Sequence, residues 1–410
     1  MDETKTVPNA EPNENQRILK KLWDSVYWVS FPFGILSFVL PIYGRELGAS
    51  ALEIGVFFAA FSVIPVIVRP FLGRALDRWG RRPFFVIGLL GYTLAMIMFS
   101  FSGTITMITI ARLIQGLGAA FLWISAYTIV ADIAKATGRG YDFGLIDEGA
   151  NRGAIIGTFV GFGVFFYLMS QGAELRQTWF IVFACFVVPT AIGFWNGLRG
   201  VPETRPETVS KPIEGRPISS QLFALMAIVF ITGASTAMVW PLLMIFLSDI
   251  LNAEVNMLAI AYLPAALIGA FLPSRMGILT DRFGRKGPMI AGLLIGAVAS
   301  ALIPQLRSII ALSILWAVEN LGFVTATPAQ RAFVADIAGE ELRGTNYGLY
   351  TFALFFGAVI GPLVGGWLYD EVGNSSPFYL NAIVLGIAAL LVIVLLRETH
   401  PTSEEELIPD

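Results

Sequence analysis

The chain has 410 residues, of which 56% are hydrophobic and 14% charged, with a net charge of −3 and a mean hydropathy of +0.71. Soluble domains average about 45–50% apolar and about 25% charged, so the outer surface here is expected to face a lipid bilayer. No basic patch invites nucleic acid, and one cysteine (Cys185) and one histidine (His400) exclude an internal disulfide, a Cys or His metal site and a His-based triad within the chain.

Residues 1–20 are polar and lack the charged-then-apolar order of a cleaved signal peptide. They are expected to form a disordered cytoplasmic tail. Runs of about 20 apolar residues then predict spanning helices. They fall near 23–43, 52–72, 84–102, 105–130, 144–168 and 178–198, an N-terminal bundle over 21–198. Residues 199–218 are polar and proline-rich and predict a flexible cytoplasmic linker. Six more runs follow near 220–248, 255–276, 288–305, 308–334, 346–369 and 377–396, a second bundle over 219–397, with an acidic tail over 398–410. Lys and Arg crowd one set of loops (Arg74, Arg78, Arg81, Arg82, Lys135, Arg139, Arg282, Arg285, Lys286), whereas the other set carries only Arg45, Arg176 and Arg307. That bias predicts cytoplasmic termini and an even number of spans.

A shift of 204 positions superimposes the halves. GRALDRWGRR from Gly73 matches GILTDRFGRK from Gly277, the ADIA at 131–134 matches that at 335–338, and Gly153, Gly157 and Gly161 match Gly357, Gly361 and Gly365. Two six-span units inserted the same way round are a parallel-repeat transporter arrangement, with substrate held near the midplane between them. The loop Gly73 to Arg82, its repeat from Gly277 to Lys286, Arg112-Leu-Ile-Gln115-Gly116-Leu-Gly118-Ala-Ala in span four and Gly357 to Gly361-Pro362 to Gly365-Gly366 in span eleven together resemble the major facilitator superfamily. The likeness covers the chain apart from its tails and is greatest to the twelve-span drug:proton antiporters. It implies an all-α membrane fold of two pseudo-symmetric six-helix bundles, in the cell membrane.

The resemblance implies a cytoplasmic gating role for Asp77, Arg78 and Arg81, and by repeat for Asp281, Arg282 and Arg285. A carboxylate such as Asp77 can bind a helix N-terminus. The alternative is that these loops only set topology. Gly149, Gly153, Gly157 and Gly161 recur every fourth residue, as do Gly357, Gly361 and Gly365 beside Pro362, which suits close helix packing in a membrane. In the family the complete proline-containing pattern in span five accompanies antiport. Here Thr158 and Phe162 interrupt it, and the intact copy lies in span eleven.

Ionisable residues inside spans cost about 2.5–3.5 kcal/mol on insertion scales, which makes each a functional candidate. They are Arg112, Asp147, Glu148, Arg152 and Glu319, accompanied by Gln115 and Asn320. Glu148 and Arg152 are four apart and can pair along one helix. Arg112 needs an acidic partner or an anionic ligand. Glu319 can take a proton from one side and release it to the other, or bind a cation. Under the 204 shift Arg112 aligns with Trp316, Gln115 with Glu319 and Gly116 with Asn320, which predicts an asymmetric cavity. Tyr27, Trp123, Tyr127, Trp240 and Trp316 are candidates to stack on a ligand.

The expected activity is proton-coupled export of an amphipathic, drug-like small molecule by alternating access. The alternative is a symporter importing a metabolite, with Arg112 and Arg152 as anchors for an anionic one. No phosphate-binding glycine loop is present and a two-histidine zinc motif is impossible, so no enzyme is expected. The proton is the coupling ion, no cofactor is implied, and a monomer is expected.

Overall fold

The computed structural model describes residues 14–133, 139–205, 219–251 and 255–399. Residues 1–13 and 400–410 of the expected tails, and 206–218 of the expected linker, lie outside the described residues. Each helix is numbered by its span. The first half holds α1 (Glu14–Glu46), α2 (Ala51–Trp79), α3 (Arg82–Phe101), α4 (Ile105–Ile133), α5 (Arg139–Ser170) and α6 (Leu175–Gly200). The second holds α7 (Ser220–Leu251), α8 (255–283), α9 (Lys286–Leu302), α10 (Ile309–Val334), α11 (Gly348–Val372) and α12 (Ser376–Leu395). Among the described residues 11 of these are long and apolar enough to cross a membrane. The twelfth, α8, is broken at Leu272, because Pro273 has no N–H to continue the hydrogen-bond ladder.

Three expectations change. Residues 14–20 belong to α1 and not to a disordered tail, because Ile18, Leu22, Val26 and Val29 repeat every three or four residues and bury one stripe. Asn15 Nδ2 also donates to the Ile133 carbonyl at 2.9 Å. Helical structure continues through the connection of spans ten and eleven, from Ile309 to Trp367. The run doubles back, since Trp316 packs on Trp240 while Gly365 meets Met238, two residues away on α7. Finally, the first part of the linker, 201–205, and the start of the acidic tail, 398–399, are built into the bundles.

Those two segments make equivalent clamps. Gly80 ends α2 at φ 93 and Gly284 ends α8 at φ 80, a conformation that glycine tolerates. Glu203 then accepts from the amides of Arg81 (2.8 Å) and Arg82 (3.1 Å) at the start of α3, while Glu398 accepts from those of Arg285 (2.6 Å) and Lys286 (3.2 Å) at the start of α9. A carboxylate at a helix N-terminus is favoured by the free N–H groups and the helix dipole. Arg81 Nε pairs with Asp132 at 3.0 Å, and Arg285 Nε with Asp336 at 2.9 Å. Thr204 and Thr399 donate to the same two aspartates.

The glycine faces pack each half in the same way. On α5, Gly149 meets Trp23, while the carbonyls of Tyr27 and Phe31 fill the space that a Cβ would need at Gly153 and Gly157. Gly161 meets Phe186 and Ile35. On α11, Gly357, Gly361 and Gly365 meet Phe230, Ala234 and Met238 of α7. Small residues let helix backbones approach where lipid supplies no hydrophobic drive.

The apolar core is divided in a way that reveals the state of the molecule. The largest buried cluster mixes residues of both halves, among them Phe38, Phe57, Leu242, Phe246 and Tyr262. It lies toward the face opposite the termini, here called the distal face. The other two clusters belong one to each half: Leu22, Leu89 and Leu122 in the first, and Ile228, Leu293 and Phe333 in the second. The buried apolar clusters therefore join the halves distally and are separate toward the terminal face, where α2 and α11 still touch through Arg69 and Phe355.

Candidate functional site

Polar contacts reinforce the distal closure. Arg45, ending α1, pairs with Asp249 of α7 at 2.8 Å. These residues are 204 apart, so repeat-equivalent positions meet each other across the pseudo-two-fold axis. Tyr369 donates to the same Asp249 at 3.0 Å. Asp370 of α11 accepts from the amides of Ala51 (3.1 Å) and Leu52 (2.8 Å), capping α2 of the other half. Gly55 lies against the Pro362 carbonyl, and Gly366 against Ala51 and Leu52. Glycine is needed at both points because a Cβ would collide with the opposite backbone.

A cavity of about 430 Å³ lies between the halves on the terminal side of this closure. Phe58, Phe61 and Arg112 line its N-terminal wall; Trp240, Trp316, Glu319 and Asn320 line the C-terminal one. It extends toward Arg331 and Tyr350, nearer the terminal face.

Arg112 is buried. Its Nε donates to the Phe57 carbonyl at 3.0 Å and Nη1 to Gln115 Oε1 at 2.7 Å, and its guanidinium lies 5.2 Å and 4.7 Å from the ring centres of Phe58 and Phe61. Among the described residues no carboxylate stands within 4 Å of it. The cation is held by neutral acceptors and π faces. On the facing wall Glu319 Oε1 accepts from Asn381 Nδ2 at 2.9 Å, and Asn320 Nδ2 donates to the Ala265 carbonyl at 2.5 Å. The repeat explains that last bond. Gly116, equivalent to Asn320, packs directly on the Phe61 carbonyl, which is equivalent to that of Ala265.

The structure divides the expected site in two. Arg112, Glu319, Asn320, Trp240 and Trp316 line the cavity, and Gln115 supports Arg112. Tyr27, Trp123, Tyr127, Glu148 and Arg152 do not line it. They stand nearer the terminal face of the first half. Trp123 stacks with Tyr127 at 6.0 Å, Tyr27 with Trp23 at 5.0 Å, and the Tyr127 hydroxyl donates to Asp147. Glu148 and Arg152 pair at 2.5 Å with side chains 42% and 62% exposed. The pair stands on α5 outside the cavity.

The expected gate residues also separate. Arg81 and Arg285 are buried in the clamps, and Asp77 pairs with Arg81 at 3.1 Å while 48% exposed. It is Glu203, and not Asp77, that sits on a helix N-terminus. Arg78 and Arg282 are exposed beside Trp79 and Phe283. The side chain of Asp281 lies outside those described. Arg69, Arg331 and Asn381 escaped sequence reasoning, although each is a polar residue inside an apolar run. Arg69 of α2 lies 4.2 Å from the ring centre of Phe355 on α11, across the two halves.

A family model described as "Major Facilitator Superfamily" matches residues 29–225 and 225–407. This chain is a major facilitator superfamily transporter. The transporter is 28% identical over 377 residues to "Multidrug resistance protein 1" of Bacillus subtilis (strain 168), covering 90% of this chain and 93% of that one. It is 24% identical over 392 residues to "Quinolone resistance protein NorA" of Staphylococcus aureus (strain MSSA476), covering 94% and 97%. Its fold is that of the human organic anion transporter MFSD10 (TETRAN), with a TM-score of 0.66 at 18% identity over 93% of this chain and 100% of that chain. It also matches a bacterial homolog of the human lysosomal transporter Spinster in an inward-facing, occupied conformation, with a TM-score of 0.68 at 16% identity over 94% and 97%. The transporter is a multi-pass protein of the lipid bilayer that acts on a small molecule.

Proposed function

We propose that this transporter exports amphipathic, drug-like molecules from a bacterial cell in exchange for protons. The observation that carries the reading is Glu319, a carboxylate on the wall of a central aromatic cavity closed distally. A cationic or dipolar aromatic ligand stacks on Trp240 and Trp316 and competes with a proton for Glu319. The two curated relatives, named for multidrug and quinolone resistance, support export. The lysine and arginine bias of the terminal-side loops supports cytoplasmic termini, and on that reading the described state faces inward, as the Spinster homolog does.

In the outward-facing state the Arg45–Asp249 pair and the Asp370 cap separate while the terminal face closes. Arg81 and Arg285 keep each half rigid through their clamps. Asp77, Arg78 and Arg282, exposed in the inward-facing state, meet the opposite half at closure. Glu148 and Arg152, paired and exposed on the terminal side of α5, exchange partners as the terminal face closes.

Import of an anionic metabolite is the second reading, and Arg112, buried without a carboxylate partner, favours it. Proteoliposomes loaded with a substrate panel distinguish the two. Export predicts that a proton gradient drives cationic aromatic compounds against the proton flow. Co-movement of an anion with protons supports import, and flux indifferent to any proton gradient contradicts both readings.

A further inference from the structure

Glu319 belongs to a closed polar network in the second half. Asn381 of α12, 1% exposed, donates through Nδ2 to Glu319 Oε1 at 2.9 Å and to Ser300 Oγ of α9 at 2.9 Å. Its Oδ1 accepts from the hydroxyl of Ser235 on α7. Ser300 donates onward to the Phe378 carbonyl at 3.1 Å, so it presents a lone pair to Asn381. Ser300 also lies within reach of the carboxylate, and if its hydroxyl turns there it still accepts from Asn381. With the Ser300 hydroxyl on either of those acceptors, the amide has one orientation. Its NH₂ faces Ser300 and Glu319, and its carbonyl faces Ser235. Four helices of the second half thus meet at a single buried amide.

An NH₂ group can only donate. Oε1 of Glu319 must therefore remain an acceptor whether the carboxyl is ionised or neutral. The other group within reach of the carboxylate, the Ser300 hydroxyl, donates to the Phe378 carbonyl instead, so Asn381 is the donor that holds Oε1. We propose that Asn381 is the positioning residue of Glu319, holding Oε1 as a permanent acceptor so that the proton is taken up and released on Oε2, at the cavity. This rests on the reading of Glu319 as the proton site. Protonation and release then require no rearrangement of the buried network, and the carboxyl stays aimed at the cavity in both forms. Ser235 carries the restraint to α7, the helix on which the glycine face of α11 is packed.

The test is infrared difference spectroscopy of the full-length protein in lipid, between protonated and deprotonated forms. The carboxyl C=O band of Glu319 is the one that disappears in Glu319→Gln. In the neutral form that C=O is Oε1, so Asn381→Ala removes its donor and is expected to move the band to higher wavenumber. Ser235→Ala, which touches only the far side of the amide, is expected to leave the band in place. Gradient-driven flux should fall in Asn381→Ala and return in part in Asn381→Ser, which restores a donor. If the alanine variant does not fold, the serine variant is read for a smaller shift of the same band. A Glu319 band unmoved by loss of the Asn381 amide overturns the positioning role alone. Absence of any band that Glu319→Gln removes overturns the proton site and this proposal together.

Discussion

The two walls of the cavity are copies of one sequence, and they differ where the copies surround the substrate space. Away from the cavity the copies behave alike. Gly88 meets the backbone of Leu122 as Gly292 meets that of Ala326, and Arg81 pairs with Asp132 as Arg285 pairs with Asp336. At the cavity one wall offers a guanidinium held by an amide and a carbonyl, and the other a carboxyl held by an amide. Packing is served equally well by either arrangement, so the difference points to a ligand and an ion. It also separates two tasks. The first wall carries a fixed charge, since an arginine does not release its proton, and the second carries one that can be switched.

Substitutions can erase this difference one position at a time. Glu319→Gln gives the second wall the chemistry that Gln115 has in the first. Proton-driven flux in proteoliposomes is expected to vanish, while substrate-for-substrate exchange, which needs no net proton movement, persists. Retained proton-driven flux would remove Glu319 from the mechanism. Arg112→Leu strips the first wall of its fixed charge. Charge-assisted hydrogen bonds are worth about 1.5–3 kcal/mol, so transport of substrates with an anionic group is expected to fall roughly tenfold or more. The thermal midpoint should not fall, because a buried cation without a carboxylate partner costs stability. A destabilised variant with intact transport would make Arg112 a structural residue. Asn320→Ala brings the second wall closer to Gly116 of the first. It removes one buried hydrogen bond and is expected to cost about 1 kcal/mol of stability, read in thermal unfolding, with little change in proton coupling.

Much of this was legible before any coordinates. The repeat shift of 204 positions located the two arginine loops and both glycine faces, because each depends on a short pattern at fixed spacing along one or two helices; the clamp carboxylates Glu203 and Glu398, 195 residues apart, fall outside that register. Which charges share a cavity was not legible. Glu148 and Glu319 look equally buried in the sequence, yet one is paired outside the cavity and the other lines it. Helix rotation and the distal closure decide that, and neither leaves a local signature. The tail at 14–20 was misread because its buried stripe is sparse, with Ile18 and Leu22 set among charged neighbours. The Arg45–Asp249 pair had a signal available, since opposite charges at repeat-equivalent positions must face each other near the pseudo-two-fold axis.

The claim at the centre of this account is that substrate and proton compete for one carboxyl group. Proton release on substrate binding measures it directly, with the purified transporter in weakly buffered detergent, a pH-sensitive dye and a cationic aromatic ligand. The account predicts a proton released as the ligand binds, and no release in Glu319→Gln although the ligand still binds. Release that persists undiminished in Glu319→Gln would contradict it.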